Sequence, residues 1–343
     1  MEHKKEMKGE LLASLLLLGL NQSIVTADNE IFSVHGSGTT NPSKCIWHIM
    51  SLFEQRSRVP IQMTYRAVGS TTGQIEFLGV NNTGPLQHIP YSDFGAGDIP
   101  IKEEAWNQLN EAINEDPETS AMVHLPFVVS AVSFFHNVHD IDGNMVEVKL
   151  TPCLIAKIFN REITTWDDEE IMAENSNLRG KMKDTYNILV ARRVKGSSST
   201  KSITQYLNKA CPSEWPFEKV ASELEPGTGN NNWHPDTTAC EGSGGMTDCI
   251  TGTSGSIGYI DSGHGWEVGL TEVELKNREG NFITSKEARD NDGIAQASVE
   301  EITPAHVDED WSGVNLINKV RYQIYQSYII SSYSQFLSSN LTF

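Results

Sequence analysis

Short apolar runs along this chain end, repeatedly, in glycine and hydroxyl residues, and stretches of helical spacing follow them. Ile31 to Val34 is a β-type run leading into Gly36-Ser37-Gly38-Thr39-Thr40, after which Ile46, Trp47, Met50 and Phe53 recur with a helical period. Pro60 opens the alternating strand Ile61-Gln62-Met63-Thr64-Tyr65. It runs into Gly69-Ser70-Thr71-Thr72-Gly73 and a second helix carrying Ile75, Phe77 and Leu78. Ile188-Leu189-Val190 is a third apolar strand. It continues through Arg192-Arg193 to Gly196-Ser197-Ser198-Ser199-Thr200 and a helix with Ile203, Tyr206 and Leu207. Strands alternating with helices predict an α/β fold of open, largely parallel sheets.

Between these units, Phe127 to Phe135 is a continuous apolar run suited to a strand that crosses between two lobes. Thr151-Pro152 supplies an N-cap and first helical residue for a helix from Cys153 to Phe159. Ser256 to Ile260 reads as a buried strand, and Thr271 to about Ala305 as charged surface structure. At the amino end, Lys4, Lys5 and Lys8 precede the short apolar run Leu11 to Leu20 and the small-residue site Val25-Thr26-Ala27. This is the pattern of a secretory signal, so residues 1–27 are expected to be removed and the mature chain to start near Asp28. No later segment approaches the roughly 20 apolar residues of a membrane span.

The 343 residues exceed a typical single domain, and 38% hydrophobic content is enough for two cores. Lys+Arg 26 against Asp+Glu 45 leaves a net charge of −19, which argues against nucleic-acid and anionic-membrane partners. An anion site in such a chain must be local, built from backbone N–H groups and an arginine. Five cysteines leave an odd one in a secreted chain. Cys240 and Cys249 flank a glycine-rich loop and are the expected bridge, contributing about 2.5–3 kcal/mol in the chain-entropy model. Cys153 and Cys211 form a second pair if the fold brings them together, and Cys45 is read as a buried free thiol in a helix. No Cys or His spacing suits zinc, so neither metal nor cofactor is expected. Asn81-Asn82-Thr83 and Asn340-Leu341-Thr342 have the form of glycosylation sequons.

The three glycine-hydroxyl turns carry the chemistry. A helix N-terminus leaves its first N–H groups unpartnered and bears partial positive charge, so a flexible turn rich in hydroxyls in front of it suits phosphate or sulfate. Three such turns, each after a strand and each opening a helix, fit the strand C-terminal ends at which α/β sheets bind ligands. Arg193, just ahead of the third turn, is placed to form charge-assisted bonds to an oxyanion. Asp98 follows another β-type run. Hydrogen phosphate has an O–H to give it and sulfate at neutral pH has none, so a buried Asp98 acceptor would select the protonated anion. Asp93 suits a turn or cap.

At these residues the sequence resembles the phosphate-binding proteins that feed bacterial phosphate ABC transporters, within the class II periplasmic binding proteins. The matching stretches are His35 to Thr40, Ala67 to Ser70, Asp93 to Asp98, Leu150 to Trp166, Arg193 to Ser199 and Ser254 to Tyr259, in the family's order over roughly residues 33 to 315. The resemblance implies two lobes, each an open, mostly parallel sheet flanked by helices, with the ligand in the cleft between them. Lobe one would be 28–126 with a return segment in 316–343, and lobe two 127–315. Val320 to Phe343 lacks the family's closing helices, and Tyr322 to Ile330 is the candidate returning strand.

The phosphate-binding set implied is Thr39, Thr40, Ser70, Asp98, Arg193, Ser197, Ser198 and Ser199. Lys195 stands where the family usually has an acid, and Ser198 replaces its usual glycine. The expected protein is a monomeric, secreted or periplasmic phosphate binder for uptake or sensing. A transporter membrane component or surface receptor would be its partner, and it would have no catalytic activity. The alternatives are a binder of another oxyanion (sulfate, molybdate, an organic phosphate) or a secreted phosphatase. Against the phosphatase, no serine lies in a Gly-x-Ser-x-Gly elbow with assignable partners.

Overall fold

The computed structural model describes residues 31–78, 92–98, 100–101, 103, 106–107, 123–183, 185–194, 196–221, 233–277, 280–290, 304–306 and 309–314, and the backbone of 330–338. In chain order the first elements are β1 (Phe32–Gly38), α1 (Ser43–Arg56), β2 (Ile61–Ala67), α2 (Ser70–Leu78), β3 (Phe94–Gly97) and β4 (Val123–His136). Then come β5 (Lys149–Leu150), α3 (Pro152–Phe159), α4 (Glu169–Glu174), β6 (Leu189–Arg193), α5 (Ser198–Ala210), β7 (Thr238–Cys240) and α6 (Gly242–Thr251). The remainder are β8 (Ser256–Asp261), α7 (Ser262–Glu267), β9 (Thr271–Glu272), β10 (Glu274–Lys276), β11 (Phe282–Ile283), α8 (Ser285–Asp290) and β12 (Ile330–Ser338).

Among the described residues, nine strands join in one sheet, in the order β2-β1-β3-β12-β4-β8-β6-β7, with β9 against β4. Its two ends are parallel: β1 pairs with β2 and β3, and β6 with β7 and β8. Its middle is antiparallel, because β12 runs against β3 and β4, and β4 against β8. β4 is the shared strand. Val123 to Val132 pair with β12, while Val132 to His136 pair with β8. The described strand that returns to β3 is Ile330–Ser338; of the Tyr322–Ile330 stretch that the sequence suggested, only Ile330 lies among the described residues.

Local chemistry explains the elements that position the loops. The Thr151 hydroxyl accepts from the Leu154 N–H at 3.1 Å and Pro152 occupies the first helical turn, so α3 starts where expected. From the end of β4 onward one apolar cluster runs through Phe134, Phe135, Ile155, Phe159, Ile203, Tyr206, Ile257 and Tyr259. Burying side chains of this size stabilises by about 1.5–3 kcal/mol each. Before β4, Val34, Ile46, Met50, Tyr65, Phe94 and Ala96 form another described cluster, and Phe77, Leu78, Ile101 and Trp106 are buried as well. Only part of the predicted apolar face of α1 joins it: Ile46 and Met50 are buried, whereas Trp47 and Phe53 are exposed.

Disulfides join Cys240 to Cys249 and Cys153 to Cys211. Cys45 is free but exposed, which corrects the buried thiol expected for it. It precedes Ile46 by one residue, about 100° around α1 from the buried stripe. Among the described residues no helix is long and apolar enough to cross a membrane. Residues 1–27, both sequons, Lys195 and residues 316–329 lie outside the described residues.

Candidate functional site

Glycines bring the first three loops together. Gly38 lies so near β3 that a Cβ there would sit 2.0 Å from the Ala96 carbonyl oxygen. Gly73 in α2 would place a Cβ 2.3 Å from the Gly38 Cα. The loop after β1, the first turn of α2 and the end of β3 therefore meet where any side chain on these residues would hold them apart. Asp98, one residue past β3, is buried at this meeting point. Its Oδ2 accepts from the Thr39 hydroxyl at 2.8 Å and from the Asn41 amide at 2.8 Å.

The same carboxylate is reached from beyond β4. Ser198, the first residue of α5, donates its hydroxyl to Asp98 Oδ2 and accepts from the Ser70 hydroxyl at 2.9 Å. Ser199 is 3.3 Å from the Asn41 amide nitrogen. Gly196 fits tightly against Thr71: a Cβ at 196 would lie 2.5 Å from the Thr71 hydroxyl. Among the described non-glycine residues only Arg161 and Thr185 have positive φ, so Ser198 takes the place of a glycine without backbone strain. Ser197 is the extended, buried N-cap of the 13-residue α5, and its side chain makes no capping bond. The first N–H groups of α5 are thus free of side-chain caps at the place where these hydroxyls converge.

Arg193 ends β6 and is buried, and its Nε has no hydrogen-bond partner. Its own N–H donates to the Tyr259 hydroxyl at 3.1 Å, and that hydroxyl is 2.6 Å from Thr200. Burial pulls the guanidinium below its ordinary pKa, against the opposing charges of Tyr259, Asp98 and Glu241. An arginine still stays protonated under such pressure, so this is a buried cation held near a carboxylate. Burial also pushes up the Tyr65 phenol, whose hydroxyl donates to the Thr39 carbonyl at 2.7 Å. Asp261, on the far side, is raised to about 6 by burial, with Asp98 adding to the shift.

Of the residues the sequence singled out, Thr39, Ser70, Asp98, Ser198 and Ser199 come together in one bonded cluster with Arg193 beside it. Thr40 points elsewhere, its hydroxyl 2.8 Å from that of Ser243 at the start of α6. Arg192 is held by Thr237 at 2.9 Å and by the Arg193 carbonyl, away from the cluster. Asp93 braces β1, accepting from the His35 N–H at 2.7 Å. Sequence reasoning missed Asn41 and Ser243. Asn41 follows the glycine-hydroxyl run directly, and its position there was the only signal. Among the described residues no group of three or more His, Cys, Asp or Glu is placed to hold a metal ion. The arrangement offers a fixed cation, a fixed acceptor and a ring of hydroxyl and N–H donors, which suits a small tetrahedral anion carrying a proton.

A family model described as the PBP superfamily domain matches residues 24–334. The chain is 26% identical over 251 residues to the phosphate-binding protein PstS of Haemophilus influenzae, covering 73% of this chain and 64% of that protein. It is 25% identical over 299 residues to the PstS of Methanocaldococcus jannaschii, covering 80% and 70%. Among solved structures it resembles a high-affinity periplasmic phosphate-binding protein with phosphate bound (TM-score 0.61, 17% identity, 90% and 80% covered). It also resembles a phosphate-binding protein from Stenotrophomonas maltophilia (TM-score 0.60, 19% identity, 89% and 78% covered). These two likenesses carry the two-lobed binding-protein fold.

Proposed function

The chain belongs to the PBP superfamily, and on that premise we propose that it binds one inorganic phosphate ion between the elements on either side of β4. The observation that carries the reading is Arg193, a buried guanidinium with an unpartnered Nε, set near a buried aspartate ringed by hydroxyls. A dianion satisfies the cation, the N–H groups opening α5 satisfy its oxygens, and its own O–H goes to Asp98. Ser70, Ser198 and Ser199 donate, and Ser197 contributes at the helix start. Thr39 acts mainly through Asp98, and Thr40 through its backbone. Residues 28–126 with a return segment in 316–343 form one lobe, and 127–315 the other. The protein works outside the cytoplasm as a monomer, delivering phosphate to a membrane transporter or a receptor, and carries out no catalysis. The sequence kinship to phosphate-binding proteins supports this role.

Calorimetric titration of the mature protein tests the reading. Phosphate is expected to bind one to one, and sulfate at least ~100-fold more weakly, because a fully deprotonated oxyanion meets the Asp98 carboxylate with no proton between them. Asp98→Asn should narrow that gap, since an amide can donate to a bare oxyanion. Equal affinities for the two ions in the unmutated protein would overturn the assignment.

A further inference from the structure

We propose that Asn41 is a positioning residue that sets the anion selectivity of this site, by holding Asp98 in the state that accepts a proton-bearing ligand; this rests on the phosphate reading above. The Asn41 amide lies at a junction of three elements. Its Nδ2 donates to Asp98 Oδ2 at 2.8 Å and lies 3.3 Å from the Ser199 hydroxyl of α5, and its Oδ1 accepts from the Ser243 hydroxyl of α6 at 3.4 Å.

The chemistry of the donors around Asp98 separates Asn41 from the rest. Thr39 and Ser198 bond to the same oxygen through hydroxyls, which rotate and can either give or take a hydrogen bond. They accommodate a protonated Asp98 as readily as an ionised one. An amide N–H only gives. Asn41 therefore favours the carboxylate at Oδ2, whereas burial alone pushes a carboxyl toward its neutral form. The difference decides which ligand fits. An ionised Asp98 repels a bare oxyanion and accepts an O–H from one that carries a proton, whereas a protonated Asp98 donates and welcomes a bare oxyanion such as sulfate.

The orientation of the amide is itself enforced. Turning it over would set its oxygen against the Asp98 carboxylate and its NH₂ against Ser243. Ser243 also bonds to Thr40 at 2.8 Å and sits at the start of α6, which the Cys240–Cys249 bridge ties to β7. The acceptor on one side of the cleft is thus fixed through a residue anchored on the other. The charge of Asp98 also bears on Arg193 from β6, Asp261 from the end of β8 and Tyr65 from β2, and the Asn41 amide bonds to none of the three.

The test uses the full mature chain with Asn41→Leu and Asn41→Asp, titrated with inorganic phosphate and with sulfate between pH 5 and 8. Each variant is compared with the unmutated protein, so that phosphate's own ionisation cancels. Asn41→Leu removes the donor at similar size. It is expected to cut the phosphate-to-sulfate affinity ratio about tenfold, the scale of one bond to a charged group. It should also move upward the pH below which phosphate affinity declines. Asn41→Asp keeps the shape but faces Asp98 with a second carboxylate, so the pair must share a proton and the pH shift should be larger. It also keeps the test decisive if Asn41→Leu fails to melt cooperatively. Equal loss of both anions at an unmoved pH midpoint would mean that Asn41 only supports the structure, and an unchanged ratio would mean that it does nothing to Asp98. Either result overturns the proposal. An unmutated protein that ignores phosphate would instead overturn the phosphate reading, before any variant is compared.

Discussion

The elements before β4 and those after it share one site, but both disulfides fall in the second part. Its buried core runs from Val132 at the end of β4 to Leu275. Before β4, Tyr65 and Phe94 centre one described cluster, Phe77, Leu78, Ile101 and Trp106 are also buried, and α1 leaves Trp47, Ile49 and Phe53 exposed. The site draws on both: Thr39, Asn41, Ser70 and Asp98 before β4, Arg193, Ser198 and Ser199 after it. The group hardest to bury, the guanidinium, stands in the disulfide-bonded part and the carboxylate in the other. On the proposed reading charge and selectivity come from opposite sides, and each can be perturbed separately.

The largest expected effect separates the two parts by stability. The Cys153–Cys211 bridge closes a loop with a sequence separation of 58. Removing it as Cys153→Ala with Cys211→Ala should cost about 4 kcal/mol in the chain-entropy model. The Cys240–Cys249 bridge, with a separation of 9, should cost about 2.5–3 kcal/mol. In denaturant titrations both losses should fall on the transition of the part after β4. A single transition shifted as a whole would show that the two parts fold as one unit, and would break the comparison.

Next in size is Arg193→Ala, expected to weaken phosphate binding by roughly 2–4 kcal/mol through loss of a charge-assisted bond to a desolvated anion. The variant also leaves the buried Asp98 without its neighbouring cation, so the free protein should lose stability too, and affinity is read on the folded variant below its transition. Arg192→Ala should do much less to affinity, because its guanidinium is engaged with Thr237 and the Arg193 carbonyl. Calorimetry on the two variants decides it, and like behaviour would place the cation of the site elsewhere.

A pH effect sharpens the contrast at smaller scale. His124 lies in the stretch of β4 that pairs with β12, and its ring nitrogens have no partner. His136 lies in the stretch that pairs with β8. Burial lowers His124 to about 4, with Asp310 opposing, and His136 to about 3, with His139 adding. Both are buried neutral, so their contribution is complete above pH ~6.5 and is lost as pH falls below that value. At pH 5 each should cost about 2 kcal/mol. Asp261 has the opposite sign. Its pKa of about 6 is raised from 3.8, so the native state binds the extra proton, and acidification from pH 7 to 5 returns about 1.4 kcal/mol. Asp261 pairs with β4 on the β8 side, so it offsets His136 rather than His124. Mild acid should therefore loosen the part before β4 first, as hydrogen exchange of β1–β3 against β6–β8 would show. Earlier exchange in β6–β8 would reverse the assignment.

What the sequence made legible was what is local. Each glycine-hydroxyl turn is contiguous, and the physics that puts an anion at a helix N-terminus acts over one turn of chain, so Ser70, Arg193 and Ser197 to Ser199 were all readable. Asp98 stood out because a carboxylate beside an expected anion calls for a ligand that carries a proton. What depends on distant residues meeting was not. Thr39 and Thr40 are adjacent hydroxyls, and only the fold turns one to Asp98 and the other to Ser243. Asn41 and Ser243 are 202 positions apart, and no spacing rule joins them. Cys45 was misjudged because an apolar type was taken for a buried position, whereas the helical phase set by Ile46 and Met50 leaves it outside.

The smallest effect concerns the rim that joins the two parts. Lys44 on α1 meets Glu267 at the end of α7 at 2.5 Å, the most obvious ion pair between them, and both side chains are more than half exposed. The bond to Lys44 holds the Glu267 carboxyl below its usual range. Such a pair gains little in water, because ordering two long side chains offsets the attraction, and salt screens it within about 10 Å at 0.1 M. Lys44→Ala should therefore change phosphate affinity by no more than about threefold at low salt, and the difference should vanish at high salt. His264 adds a check. Burial lowers its pKa first and Lys44 lowers it further, while Glu267 opposes, so removing Lys44 should raise the pH at which its ring titrates in NMR spectra. Were Lys44→Ala instead to abolish binding at any salt, this exposed contact rather than the buried cluster at Asp98 would hold the two parts together. The proposed division between a part that supplies charge and a part that supplies selectivity would then have to be redrawn around the rim.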